Sequence, residues 1–299
     1  MKNLISFLVV SLCFTCLSAC GTVPAHDESG QQYDKSEKKK APEVIFIHGM
    51  FVTSKCWEGW VQSFQKAGYK VSAPAWPLHD GRVEDLRQPS RFEELAKLEL
   101  SDVLESYRKI IKTKSAKPIL IGHSMGGLVA QILLAEGLAE AAIVLDSAPP
   151  HGVFGISWSS LKSNWGIINP FASSWQPVEK DFDGFSYAFT SEQTREVQES
   201  AYRDYYVPES RRVGNAPLGA AGDVKMKEAR GPLLLFAGGK DHIIPAKLSY
   251  DNFKFYKKTP GYTEFILFPE RDHWTLHGKG WEQVADTALS WIKKRYSLK

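Results

Sequence analysis

The chain has 299 residues, 43% of them hydrophobic and 24% charged, a balance that can fill a core and that excludes bulk disorder, collagen-like sequence and coiled coil. Its 37 basic and 34 acidic residues give a net charge of +3, and the 36 basic residues left once Lys2 departs with residues 1–19 give +2. So even a balance does not argue for a nucleic-acid surface, which needs clustered basic side chains.

The N-terminus comes first in the chain. Lys2, an uncharged stretch from Leu4 to Leu17 and then small residues predict a secretory signal over 1–19. Fourteen helical residues span about 21 Å, short of the ~30 Å hydrocarbon core, so a permanent transmembrane helix is the weaker reading. Leu17-Ser18-Ala19-Cys20 resembles a bacterial lipobox. That resemblance implies that Cys20 is diacylated on sulfur, becomes the first residue of a lipoprotein and holds it to a membrane of the cell envelope. Gly21 after it, rather than Asp, leans toward the outer membrane in a cell that has one. Cys16 is a poor competitor, being preceded by Cys13-Phe14-Thr15. With Cys13 and Cys16 removed and Cys20 capped, Cys56 has no thiol partner and is expected as a small buried hydrophobe, with no disulfide framework. After the lipidated Cys20, residues 21–42 hold four acids and four lysines with almost nothing to bury, which predicts a flexible tether over 20–42.

From Glu43 the texture changes. Val44–Ile47 is a short apolar run fit for a strand buried on both faces. A helix is expected over Trp57–Lys66, stopped at Gly68, then a second strand over Tyr69–Ala73 and one long amphipathic helix from Phe92 to about Thr113. Pro118–Gly122 is the third strand, Gly127–Glu136 a helix and Ala141–Leu145 the fourth strand. Pro232–Ala237 is the fifth, Ala246–Tyr256 a helix, Thr263–Phe268 the sixth, and Trp281–Tyr296 the closing helix. Alternating strands and helices with short links predict an α/β fold with a mostly parallel sheet covered on both faces. Residues 147–230 are too many for one crossover and carry twelve aromatic residues, so a mostly helical cap is expected there, with some rings in its own core and a minority facing a pocket.

Gly122-His123-Ser124-Met125-Gly126-Gly127 lies between the third strand and a helix, the context in which G-x-S-x-G places a nucleophile on a strained turn. Glycines two residues to either side let the neighbouring backbone pass, and the helix start aims free N–H groups at developing negative charge.

With this motif the sequence resembles the α/β-hydrolase superfamily over Glu43 to Arg295. The resemblance implies that Ser124 is the nucleophile, that His48-Gly49-Met50 after the first strand is the oxyanion segment, and that the Met50 and Met125 amides form the oxyanion hole, with Phe51 as the alternative to Met50. Glu270-Arg271-Asp272-His273-Trp274 looks like the family's histidine loop, so His273 is the expected base and His277 the decoy. Gly238-Gly239-Lys240-Asp241-His242 looks like the acid loop, so Asp241 is expected to orient His273, in the family order Ser, Asp, His. Asp146, at the end of the fourth strand, is the competing acid. His48 and His123 are read as structural and Asp272 as a solvated turn residue. The family's first two strands are absent here, so the sheet is expected to begin at Val44.

No phosphate loop or dinucleotide fingerprint appears, and the eight histidines do not cluster at ligand spacing with cysteines or carboxylates, so cofactor-free and metal-free chemistry is expected. The implied activity is a lipid-anchored serine hydrolase of carboxylic esters acting on a small-molecule or lipid ester. Lysophospholipase, monoglyceride lipase and cofactor-free haloperoxidase-like hydrolase are alternatives on the same residues. A silent lipid-anchored binding protein is the rival of another class.

Overall fold

The computed structural model describes residues 39–225 and 230–298. Lipidation at Cys20, the signal over 1–19 and most of the tether lie outside the described residues. Lys39–Lys40, expected to lie in the tether, instead pair in parallel with Tyr296–Ser297, and the Ala41 N–H donates to the Ser297 carbonyl at 2.5 Å. For the same reason the last helix stops at Arg295, and Tyr296 turns to extended backbone.

Six strands form the central sheet: β1 (Val44–Ile47), β2 (Val71–Ser72), β3 (Ile119–His123), β4 (Ala141–Leu145), β5 (Leu233–Gly238) and β6 (Thr263–Phe268). They lie in the order β2-β1-β3-β4-β5-β6, and every pairing is parallel. Strands β1, β3, β4 and β5 are buried along their whole length, which is why they read as continuous apolar runs. The second strand is shorter than Tyr69–Ala73. It is half-buried and sits at the sheet's edge, where only Val71 and Ser72 find partners on β1.

The sheet is flanked by α1 (Glu58–Lys66), α2 (Leu100–Lys112), α3 (Met125–Ala135), and later in the chain by Ala246–Tyr256 and Trp281–Arg295. The single long helix expected from Phe92 to Thr113 is two, Phe92–Lys97 and α2, broken at Leu98 in extended backbone. The break has two causes. Glu99 starts α2 with a capping box closed by Asp102, and the Leu98 carbonyl accepts the Ser210 hydroxyl at 2.6 Å.

Between β4 and β5 the chain forms the expected cap, built from α4 (Trp158–Ile168), α5 (Phe182–Phe189), α6 (Arg195–Tyr205) and the short turn Arg211–Asn215. Phe185 and Phe189 stack at 4.7 Å in its interior. Trp158, Trp165, Phe171 and Trp175 stand exposed instead of packing inward. The cap is stitched to the core by the isolated bridge Val52–Tyr206 and by the buried pair of His79 and Glu209, 3.0 Å apart. Among the described residues no helix is long and apolar enough to cross a membrane.

Candidate active site

Strand β3 ends at His123 and α3 begins at Met125, leaving Ser124 alone at the junction. Its φ of 54° and ψ of −122° lie where side chains are strained, so the residue persists there only because its neighbours hold it. Its N–H donates to the Leu145 carbonyl at 3.0 Å, and its own carbonyl accepts from Ala148 at 2.9 Å. The flanking backbone is equally crowded. A Cβ on Gly126 would sit 2.3 Å from the Ile47 and His48 carbonyl oxygens, and one on Gly49 would sit 2.8 Å from the Ser124 Cβ. Glycine at these two positions is what lets the loop after β1 lie against the turn.

That loop carries Met50 and Phe51, the latter at φ 64°. Both line the same cavity as Ser124 and Met125. The Met125 amide opens α3 and so has no intrahelical acceptor. The amides of Met50 and Phe51 find no acceptor among the described residues, so the turn leaves both free. The Phe51 carbonyl is engaged, accepting Val207 N–H from the cap at 3.0 Å.

The loops after β5 and β6 meet beside this turn. His273 Nδ1 donates to Asp241 Oδ2 at 2.7 Å, while Asp241 Oδ1 accepts the Ile243 and Ile244 amides at 2.7 and 2.9 Å, which fixes the carboxylate. The His273 ring is fully buried, and its Nε2 has no hydrogen-bond partner among the described residues; no bond joins it to Ser124. Burial pulls the ring's pKa down, but the Asp241 charge and hydrogen bond, with lesser help from Asp146 and Asp272, carry it above the ordinary histidine value. Phe189 of the cap closes over the ring edge-on at 5.2 Å.

Of the two acids weighed from sequence, His273 bonds to Asp241 and not to Asp146. Asp146 is fully buried at φ 45°, with Oδ1 accepting Gly238 N–H at 2.6 Å and Oδ2 accepting the Thr275 hydroxyl. Burial, and then the nearby Asp241 charge, raise its carboxyl well above the usual carboxylate range. It braces the ends of β5 and the histidine loop. His277 is turned away, donating from Nε2 to the Cys56 carbonyl at 2.7 Å and stacking on Trp274, and burial lowers it to about 4. His48 and His123 are structural in their bonding. The His48 Nε2 accepts Trp76 N–H at 3.0 Å, and burial lowers the ring to about 3. The His123 Nε2 donates to the His273 carbonyl at 2.9 Å.

Two expectations need correction. Asp272 is not solvated: it is fully buried and accepts from Trp274 N–H, Glu192 N–H and the Gln193 side chain, tying the histidine loop to the cap. The histidines do gather with a carboxylate, because folding brings one ligand-type atom each of His123, Asp146 and His273 within 4.8 Å of one another. Both Asp146 oxygens and the His273 Nδ1 are already engaged by protein donors and Asp241, so this cluster is the rim of the same site. As expected, only a minority of the cap aromatics face the pocket, Phe154 and Phe189 being its only cap rings among the described lining residues. The cavity is about 410 Å³ and apolar apart from Ser124, a few polar groups of α4 and one cation, Lys180. Sequence reasoning missed Lys180 and the His79–Glu209 pair, since neither sits in a motif.

A sequence model of the Alpha/beta hydrolase family matches residues 44–287. No curated protein matches the sequence. Among solved structures, the chain is similar to a pyrethroid hydrolase from Sphingobium faniae JZ-2 (17% identity, 85% of this chain and 98% of that one, TM-score 0.62) and to the monoacylglycerol lipase of Paleococcus ferrophilus (20%, 86% and 96%, 0.59). It is also similar to an extracellular alpha/beta-hydrolase from a Paenibacillus species (20%, 83% and 98%, TM-score 0.64). With a six-stranded parallel sheet, a strained serine turn and a family match over most of its length, the chain belongs to the alpha/beta hydrolase family.

Proposed function

We propose that the protein is a serine hydrolase of carboxylic esters with apolar acyl or aryl groups. The observation that carries this reading is the 2.7 Å Asp241–His273 bond, with the histidine's Nε2 unengaged on the same rim as the strained Ser124. Ser124 Oγ attacks the ester carbonyl as His273 Nε2 takes its proton, and Asp241 holds the Nδ1–H tautomer. The oxyanion lies toward the amides of Met50 and Met125. Collapse expels the alcohol, which leaves with the proton from Nε2. Water then attacks the acyl-enzyme, giving its proton to His273, and the acid departs as Ser124 is restored. The apolar cavity supports the preference for greasy groups. The lipobox-like Leu17-Ser18-Ala19-Cys20 supports anchoring of this enzyme to the envelope through Cys20.

Turnover of p-nitrophenyl esters is to be measured on membrane and soluble fractions of cells carrying the wild type, Ser124→Ala or Cys20→Ser. Wild-type activity is expected in membranes. Ser124→Ala should lower kcat by at least about 10³, and Cys20→Ser should move full activity to the soluble fraction. Equal turnover by wild type and Ser124→Ala would refute the nucleophile, and no shift of fraction with Cys20→Ser would refute the anchor.

A further inference from the structure

Lys180 is the only charged side chain among the described residues lining the cavity that holds Ser124. Its backbone is pinned from both sides by cap tyrosines, its N–H donating to the Tyr206 hydroxyl at 2.6 Å and its carbonyl accepting the Tyr202 hydroxyl at 3.0 Å. Those two rings are themselves stacked at 4.7 Å, so the root of the side chain is held. The ammonium lies 5.1 Å from the centroid of Phe51, which contacts Phe189, the ring that covers His273. Nζ donates to the Ser163 carbonyl at 2.7 Å and pairs with no carboxylate among the described residues. An ammonium has three N–H donors, so two remain for something else.

A second group at the same place is also unsatisfied. Ser163 is 3% exposed, lines the cavity, and its Oγ has no hydrogen-bond partner among the described residues. A buried hydroxyl without a partner costs free energy, as does a cation in an apolar wall without a counter-charge. Burial draws the Lys180 ammonium down to about 8 despite the opposing pull of Asp181, as expected of a cation short of an anion. One ligand feature answers both deficits: an oxyanion, accepting from Lys180 and from the Ser163 hydroxyl.

We propose that Lys180 and Ser163 form an anion subsite inside the substrate cavity, so that the preferred ester carries a carboxylate at the end of an apolar arm. This inference rests on the ester-hydrolase reading above. In its simplest form the substrate is a half-ester of a dicarboxylic acid, or an ester whose alcohol bears a carboxylate. The apolar wall between Ser124 and Lys180 accommodates the methylene chain, and the ammonium selects its charged end. Lys180 is a specificity residue: it handles no proton in the reaction.

The experiment compares kcat/KM for charged and neutral members of two ester series. One places the carboxylate on the acyl side, as mono-4-nitrophenyl esters of C5 to C8 dicarboxylic acids against the matching monocarboxylic esters. The other places it on the alcohol side, as butyrate esters of C3 to C6 hydroxy acids against those of simple alcohols. The wild type should prefer the charged members of at least one series by about ten- to hundredfold, the range of a charge-assisted hydrogen bond. Lys180→Met should abolish that preference through KM, with neutral esters changed less than threefold, and Lys180→Arg should restore part of it. Lys180→Gln, which keeps a donor for Ser163, replaces the Met variant if that one fails to fold. A merely structural lysine would move thermal stability and leave the charged-to-neutral ratio unchanged. A wild type that hydrolyses neutral esters through Ser124 with no preference for charged ones overturns the subsite alone. Preference that survives both Lys180→Met and Lys180→Gln does the same. A wild type that hydrolyses no ester in either series overturns the ester-hydrolase reading, and the subsite with it.

Discussion

Two carboxylates meet the rim of the serine turn, and their surroundings give them different work. Asp241 has one oxygen on the His273 ring and the other on two backbone amides, so it is a fixed acceptor for an imidazolium. Asp146 faces the Gly238 amide and the Thr275 hydroxyl, so it holds two loops together. Replacing Asp241 by Asn should therefore remove the bond that selects the Nδ1–H tautomer and lower kcat by about 10³–10⁴ while the fold stands. Asp146→Asn should cost about 1–3 kcal/mol of stability, from a buried bond mismatched, and leave kcat within about tenfold. The two variants are separated by kcat and by urea denaturation on the same samples, and the reverse pattern would hand the orienting role to Asp146. The acid limb of kcat/KM adds a second reading of the same pair. Asp241 raises the His273 pKa, so the limb should lie above the ordinary histidine value in the wild type and move to lower pH in Asp241→Asn. The motif residues Ser124, Asp241 and His273 could be found in sequence because strained turns and loop ends carry local signatures of glycine and spacing. Lys180 could not: a lone lysine between Glu179 and Asp181 looks like any solvated charge until the fold places it against Phe51 and Ser163.

At the scale of elements, strands were legible and junctions were not. Val44–Ile47 and Ala141–Leu145 match their expected bounds because a strand buried on both faces must be apolar throughout. The break at Leu98 was hidden in part because one of its two causes, the Ser210 hydroxyl, lies 112 residues later. A separation of 130 residues likewise conceals a buried tie of the cap, His79 with Glu209. The His79 ring faces two acceptors, the Pro77 carbonyl at 3.1 Å and Glu209 Oε2 at 3.0 Å, so it donates from both nitrogens and is an imidazolium. Burial alone would lower its pKa, but the Glu209 charge and hydrogen bond outweigh that and raise it. Because both partners are buried, Glu209→Ala leaves a cation in the interior without compensation, and a loss of about 3–5 kcal/mol is expected. Chemical denaturation measures it. A loss below about 1 kcal/mol would mean that the ring sits there neutral and that the cap is held by its bridges alone.

For the whole molecule, these buried rings set how stability follows pH. His48, at about 3, His277, at about 4, and His123, well below the usual value, refuse protons that the unfolded chain accepts near 6.5. A depressed folded pKa of this kind makes stability fall as pH drops below ~6.5, by about 1.4 kcal/mol per pH unit for each ring. His79 and His273 have raised folded pKa values, so below ~6.5 both states hold their protons and these two add no slope there; their contribution is lost on the alkaline side, as pH rises through their folded values. Asp146 and Asp272, raised by burial, take up native-state protons over part of the acidic range and offset one or two of the three histidines. The net expectation between pH 6.5 and 4.5 is a loss of about 1.4–3 kcal/mol per pH unit. Urea unfolding at half-unit steps measures it. His277→Gln, which can still donate to the Cys56 carbonyl, should reduce that slope by about one proton. A stability that stays level or rises toward pH 4.5 would show that these imidazoles accept protons within the fold, which the dry packing of His48 against Trp76 and of His277 against Trp274 does not permit.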